Sequence, residues 1–165
     1  GAYAIVTDPS IPPAVMDHLL ENYGTRIPVF LDPVSIGYAR AVKDKIGRFH
    51  TVKPNLLEAE LLSGVTINSP QDLEKAAEAI ISKGVKRVII SLGKNGCMYY
   101  DEVGCCQYYQ LKPLEKLENA TGAGDAFMAG LVYSELQSLD LLEAGNGRSP
   151  KTIPVAASAT FQRAM

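Results

Sequence analysis

The chain has 165 residues, 47% of them hydrophobic, with 18 acidic side chains against 16 lysines and arginines and a formal net charge of -2. That length suits one domain with a real core, and the near-balanced, scattered charge excludes a disordered chain and gives no global reason to bind nucleic acid. No apolar run approaches the length of a membrane span, and Cys97, Cys105 and Cys106 show neither metal-type spacing nor a disulfide framework, which makes a reducing cytosol the default.

The N-terminus lacks a basic segment followed by an apolar one, and a start at Gly1-Ala2-Tyr3 without methionine is expected of a processed, trimmed or engineered chain. Tyr3 to Val6 is a short apolar run closed by Thr7-Asp8-Pro9. A helix is expected from about Pro12 to Tyr23, with Val15, Leu19 and Tyr23 as its buried stripe. Val29-Phe30-Leu31 is the next strand, closed by Asp32-Pro33, and Ile36 to Arg48 reads as helical despite Gly37.

Thr51-Val52 leads into Lys53-Pro54-Asn55, and Leu56 to Ser63 makes a short helix stopped by Gly64. Ser69-Pro70 starts a longer one, with Leu73, Ala76, Ala77, Ile80 and Ile81 as its apolar stripe and Gly84 beyond its end. Arg87 to Leu92 carries Val88-Ile89-Ile90, apolar on successive positions as in a strand covered on both faces. Gly93-Lys94-Asn95-Gly96 is a turn. Cys97 to Tyr100 and Cys105 to Leu111 can pair across Asp101-Glu102-Val103-Gly104, which makes Tyr99, Tyr100, Tyr108 and Tyr109 cross-strand packing rather than a base-stacking platform.

A last long helix is expected from about Gly122 to Leu136, little of it exposed. Gly145-Asn146-Gly147-Arg148-Ser149-Pro150 reads as a loop, and Pro154 to Met165 as a small-residue helix. The alternation implies a mostly parallel sheet with right-handed crossovers, whose ligands bind beyond the carboxyl ends of the strands.

Chemistry concentrates where that long helix begins, at Thr121-Gly122-Ala123-Gly124-Asp125. Glycines leave the amides of the turn open to a ligand, and the first N–H groups of a helix have no internal partners, so the site suits an anion. A carboxylate beside a bound phosphate cannot be its ligand, because the charges repel. Its useful role is to accept a proton from an attacking hydroxyl. On the glycines alone, a tight turn with Asp125 favouring the helix N-terminus accounts for the stretch equally well.

The longer string Asn119-Ala120-Thr121-Gly122-Ala123-Gly124-Asp125-Ala126-Phe127-Met128-Ala129-Gly130 resembles the second signature of the PfkB/ribokinase family of carbohydrate and nucleoside kinases, usually Asp-Thr-Thr-Gly-Ala-Gly-Asp. Asn119 and Ala120 depart from that form, while the Gly-Ala-Gly-Asp core is intact. Two further motifs stand in the family's order. Asn55-Leu56-Leu57-Glu58 resembles its Asn-x-x-Glu, although Asn55 and Glu58 also read as an ordinary capping pair. Ser91-Leu92-Gly93 is similar to its Thr/Ser-Leu-Gly. Within the family, Val29 to Ser35 and His50 to Asn55 look most like pseudouridine kinases.

The resemblance implies a ribokinase-like three-layer α/β/α sandwich and an ATP-dependent phosphotransferase acting on a sugar or nucleoside hydroxyl. Asp125 is then the base and Gly122, Ala123 and Gly124 the anion hole. Ser91, Gly93, Thr121, Asn55 and Lys53 lie on the nucleotide side, and Glu58 and Asn55 on the magnesium (Mg2+) side, through water or directly. Asp32 reads as a turn residue, with a lesser role behind the magnesium. Lys94 reads as an exposed turn lysine, and His18 and His50 as structural.

Family members are about twice this long, so the chain is expected to be a nucleotide-binding C-terminal part spanning 1–165, without the N-terminal half and lid and with an atypical tail over 143–165. Two other readings stay open: a nucleotide-binding or oligomerising module without turnover, and a kinase of hydroxymethyl-pyrimidine or pyridine substrates. A cytoplasmic protein with a small-molecule partner, no nucleic acid, no membrane and a homo-oligomeric option completes the expectation.

Overall fold

The computed structural model describes residues 1–110 and 122–143. Strands and helices alternate as β1 (Ile5–Thr7), α1 (Pro13–Tyr23), β2 (Val29–Leu31), α2 (Ile36–Val42), β3 (Thr51–Val52), α3 (Leu56–Ser63), α4 (Pro70–Ile81), β4 (Arg87–Ser91), β5 (Cys97–Asp101), β6 (Cys106–Tyr109) and α5 (Ala123–Glu143). Two compact units result. One comprises Gly1–Gly93 and Cys97–Tyr108; the described residues of the other are 94–96, 109–110 and 122–143.

The six strands form one sheet in chain order, with β1 to β4 parallel and β5 antiparallel to β4. Right-handed crossovers between strands laid down in sequence all pass over the same face. The core divides accordingly. Val29, Leu31, Val52, Val88, Ile90 and Met98 alternate onto one face, in a single cluster with Met16 and Leu20 of α1, Ala39 and Val42 of α2, Leu62 of α3 and Leu73 and Ile80 of α4. Phe30, Ile89 and Tyr99, at the intervening positions, are buried as well. The expected α/β sheet with flanking helices is therefore present, and the continuous apolar run of β4 is explained by burial on both faces.

Local signals set the helix bounds. Ser69 caps α4 by accepting the Asp72 N–H at 3.2 Å, and its hydroxyl donates to Asp72 Oδ2 at 2.7 Å. Leu73, Ala76, Ala77 and Ile80 are buried as the stripe requires. In α1 the expected stripe is one residue out of phase: Met16 and Leu20 are buried, whereas Val15 and Tyr23 are exposed and Leu19 is only partly covered. Two stripes at i, i+4 spacing compete on this short helix, and the one sharing a face with the sheet wins. The helix expected over residues 36–48 tightens into a 3-10 turn at Lys43–Arg48. There Gly47 meets the chain after α4 so closely that an added Cβ would lie 1.7 Å from the Lys83 carbonyl oxygen.

The β5–β6 hairpin closes on Asp101, whose carboxylate accepts from the Tyr99 hydroxyl at 3.0 Å and from the Val103 and Cys105 N–H groups at 3.1 and 2.9 Å. Tyr108 reaches α4, donating to Glu74 at 3.1 Å. Tyr99 is buried opposite Ile89 as cross-strand packing requires, whereas Tyr108 is exposed and bonds a helix instead. The three cysteines are free thiols, and burial pushes the Cys97 thiol up to about 12. No helix among the described residues is long and apolar enough to cross a membrane. The readings made for residues 111–121 and 144–165, including the loop at Gly145 and the helix from Pro154, lie outside the described residues.

Candidate active site

β2 and β3 run parallel with Leu31 beside Val52, so the next residues, Asp32 and Lys53, leave the sheet side by side at its carboxyl end. The Lys53 N–H donates to the Leu31 carbonyl at 3.0 Å. Its ammonium meets Asp32 Oδ2 at 2.8 Å, with 6% of the lysine side chain and 18% of the aspartate exposed. Asp32 Oδ1 accepts the Val34 N–H at 3.2 Å, and the Ser35 N–H closes the turn onto the Pro33 carbonyl at 2.7 Å. Val34 sits at φ +63°. A β-branched side chain resists that conformation, so the exit from β2 is held under strain.

One residue pair further along, Asn55 bridges to Ser91 at the end of β4. The Ser91 N–H and hydroxyl both donate to the Pro54 carbonyl, at 2.9 and 3.3 Å. Gly93, exposed at φ +57°, then opens a short 3-10 turn, with Lys94 exposed beside it. Asn55 caps α3, and the two hydrogen bonds expected of a capping box are both present. Glu58 is nonetheless only 2% exposed. Burial pushes its carboxyl up, the Asp32 charge adds to the rise, and the Asn55 N–H and Lys53 act against it.

Asp32, Lys53 and Glu58 therefore form one electrostatic cluster, with two carboxylates facing a single ammonium. The Asn55 N–H donates to Glu58 Oε2 at 2.9 Å. An oxygen donor set with one surplus negative charge fits a magnesium ion that keeps several of its waters. Among the described residues there is no group of three or more His, Cys, Asp or Glu side chains that could hold a metal.

In the second unit, Gly122 at φ +83° feeds directly into α5, a helix of 21 residues. The Ala126 N–H donates to the Gly122 carbonyl at 2.9 Å, so the amides of Ala123, Gly124 and Asp125 precede the helical ladder and point outward from its positive end. Gly122, Gly124 and Asp125 are exposed, whereas Ala123, Phe127, Met128 and Leu131 are buried and anchor the first turns. Asp125 is thus open to solvent in the first turn, where a base would have to be. Thr121 lies outside the described residues.

Lys53, Asn55, Glu58 and Ser91 stand together at one end of the sheet. Asp32, expected as a turn residue with a lesser role behind the magnesium, stands with them, and its ion pair with Lys53 is the unexpected contact. A signal existed: Asp-Pro after one strand and Lys-Pro after the next are adjacent once the strands are parallel and in register.

The model of the pfkB carbohydrate kinases matches residues 13–146. Pseudouridine kinase of Escherichia coli (strain K12) is 35% identical over 142 residues, which is 86% of this chain and 45% of that kinase. A crystal structure from Clostridium perfringens superposes with a TM-score of 0.83 at 35% identity, over 98% of this chain and 48% of the other. The pyridoxal kinase from Staphylococcus aureus in complex with ADP gives a TM-score of 0.72 at 26% identity, over 98% and 61%. The chain spans about half the length of the first two.

Proposed function

The chain belongs to the pfkB family of carbohydrate kinases, and from that premise we propose that it supplies the nucleotide-binding and catalytic part of an ATP-dependent kinase that phosphorylates a hydroxyl of a sugar or nucleoside. The observation that carries this reading is the exposed Asp125 in the first turn of α5, behind a glycine at φ +83°. Asp125 takes the proton of the acceptor hydroxyl as it attacks. The amides of Ala123 and Gly124, with the positive end of α5, stabilise the charge on the phosphoryl oxygens.

In the family's pattern Ser91, Gly93, Thr121 and Lys53 would contact the nucleotide, and Asn55 and Glu58 would hold the waters of a magnesium ion. That ion, when bound, neutralises charge between the phosphates. A pseudouridine or ribose-like acceptor is favoured by the likeness to the Escherichia coli pseudouridine kinase, and a cytoplasmic setting is part of the same reading.

The test is turnover by the protein with ATP, magnesium and a panel of pseudouridine, ribose, other nucleosides and pyridoxal. Asp125→Asn is expected to lower kcat by about 10²–10⁴-fold while ATP affinity stays within about twofold. A near-wild-type rate in that variant defeats the assignment. A second reading is a nucleotide-binding or oligomerising module without turnover. ATP binding with no turnover on any acceptor selects it, and reproducible turnover removes it. Preference for pyridoxal would select a pyridine-type acceptor, in line with the Staphylococcus aureus relative.

A further inference from the structure

We infer that Asp32 is a positioning residue that fixes the Lys53 ammonium at the carboxyl end of the sheet, so that its charge meets the terminal phosphates of the nucleotide. The inference deepens the kinase reading and rests on it. A lysine ammonium carries three donors on a flexible four-carbon stem, and as a point charge it has no geometry of its own. Here the ammonium forms an ion pair with Asp32 Oδ2 at 2.8 Å, and the side chain is buried to 6% exposure. The paired carboxylate holds that charge in place at the end of the sheet.

Asp32 is itself held from three sides. Its N–H donates to the Thr7 carbonyl at 3.1 Å, Oδ1 accepts the Val34 N–H at 3.2 Å, and Oδ2 takes Lys53. The turn that supplies the Val34 contact keeps a β-branched residue at φ +63°. Strain of this kind persists only where the surroundings over-determine the conformation. Folding does not require the arrangement, because a buried ion pair is often no more stabilising than an apolar pair of the same volume. This pair also stands beside Asn55, Glu58 and Ser91, at the end of the sheet where ligands of such folds bind.

The experiment measures affinity for ATP and for AMP, each with magnesium, by calorimetry on the whole chain. Lys53→Met and Asp32→Asn are each expected to weaken ATP about tenfold and leave AMP within about twofold. The double variant should lose no more than Lys53→Met alone, because both changes remove one interaction. Asp32→Glu, which keeps the charge, displaces it by a methylene and serves also if Asp32→Asn fails to fold, should lose ATP affinity severalfold. ATP preference unchanged in Asp32→Asn or Asp32→Glu, with Lys53→Met sensitive, overturns the inference alone. A wild-type protein that binds ATP no better than AMP overturns the kinase reading and the inference together.

Discussion

Asn55 and Glu58 exchange two hydrogen bonds, the Glu58 N–H to Asn55 Oδ1 at 3.0 Å and the Asn55 N–H to Glu58 Oε2 at 2.9 Å. The pair is a capping box, and the box fixes where the carboxylate points. A capping glutamate needs no burial, since the backbone groups it serves lie at the exposed end of a helix. Glu58 is 2% exposed and stands within electrostatic reach of a second carboxylate, Asp32. Capping alone leaves that arrangement unexplained, whereas the cation site proposed for Asn55 and Glu58 would give the paired carboxylates a charge to face.

The raised carboxyl of Glu58 gives a stability prediction with a definite sign. Its ordinary value is 4.5, and burial raises it, so the native state binds the proton more tightly than the unfolded chain. Stability from this group is fully present below pH 4.5 and is lost as pH rises through the higher native value. Glu58→Gln cannot ionise and keeps an oxygen to accept the Asn55 N–H. Its Tm minus that of the wild type should therefore be larger at pH 7 than at pH 4, in melts without divalent cation. A difference independent of pH would show that Glu58 carries no desolvation cost.

The parts of the fold legible in the sequence are those where one local signal decides. Ser69-Pro70 marks the start of α4 and its apolar period marks the buried face, while Asn55 and Gly64 bracket α3 to the residue. The phase of α1 was not legible, because Val15 and Met16 each begin an apolar i, i+4 series and only the sheet chooses between them. The pairing of Asp32 with Lys53 depends on strand register across 21 positions of sequence, which no local pattern encodes. Val34 at φ +63° contradicts its own propensity and could not be expected from it. At Asp125 the motif indicated the residue, and its exposure came only from the structure.

Gly122 stands at φ +83° with no atom of the described residues within 4 Å of where a Cβ would be. Gly122→Ala therefore adds backbone strain and no clash, which should cost about 1–2 kcal/mol in urea unfolding. The same strain displaces the amides at the start of α5, so ATP affinity should fall about tenfold if those amides hold phosphate. Loss of stability with unchanged ATP affinity would separate the turn from nucleotide binding.

Gly47 and Gly37 lie in consecutive helical turns and should answer alanine in opposite directions. At Gly37, in the first turn of α2, a new Cβ meets only the Ser35 hydroxyl at 3.9 Å. Gly37→Ala should stabilise the protein by about 0.5–1 kcal/mol through helix propensity. At Gly47 the Cβ would lie 1.7 Å from the Lys83 carbonyl oxygen and 2.6 Å from its carbon, and backbone atoms cannot rotate aside as a side-chain end could. The turn at Lys43–Arg48 and the segment from Ile81 to Val85 would have to separate, which loosens Ile46 and Val85 in the core. Gly47→Ala should cost about 2–3 kcal/mol or more by chemical denaturation. Equal and small effects at the two positions would mean that the 3-10 turn does not pack against the chain after α4 in solution.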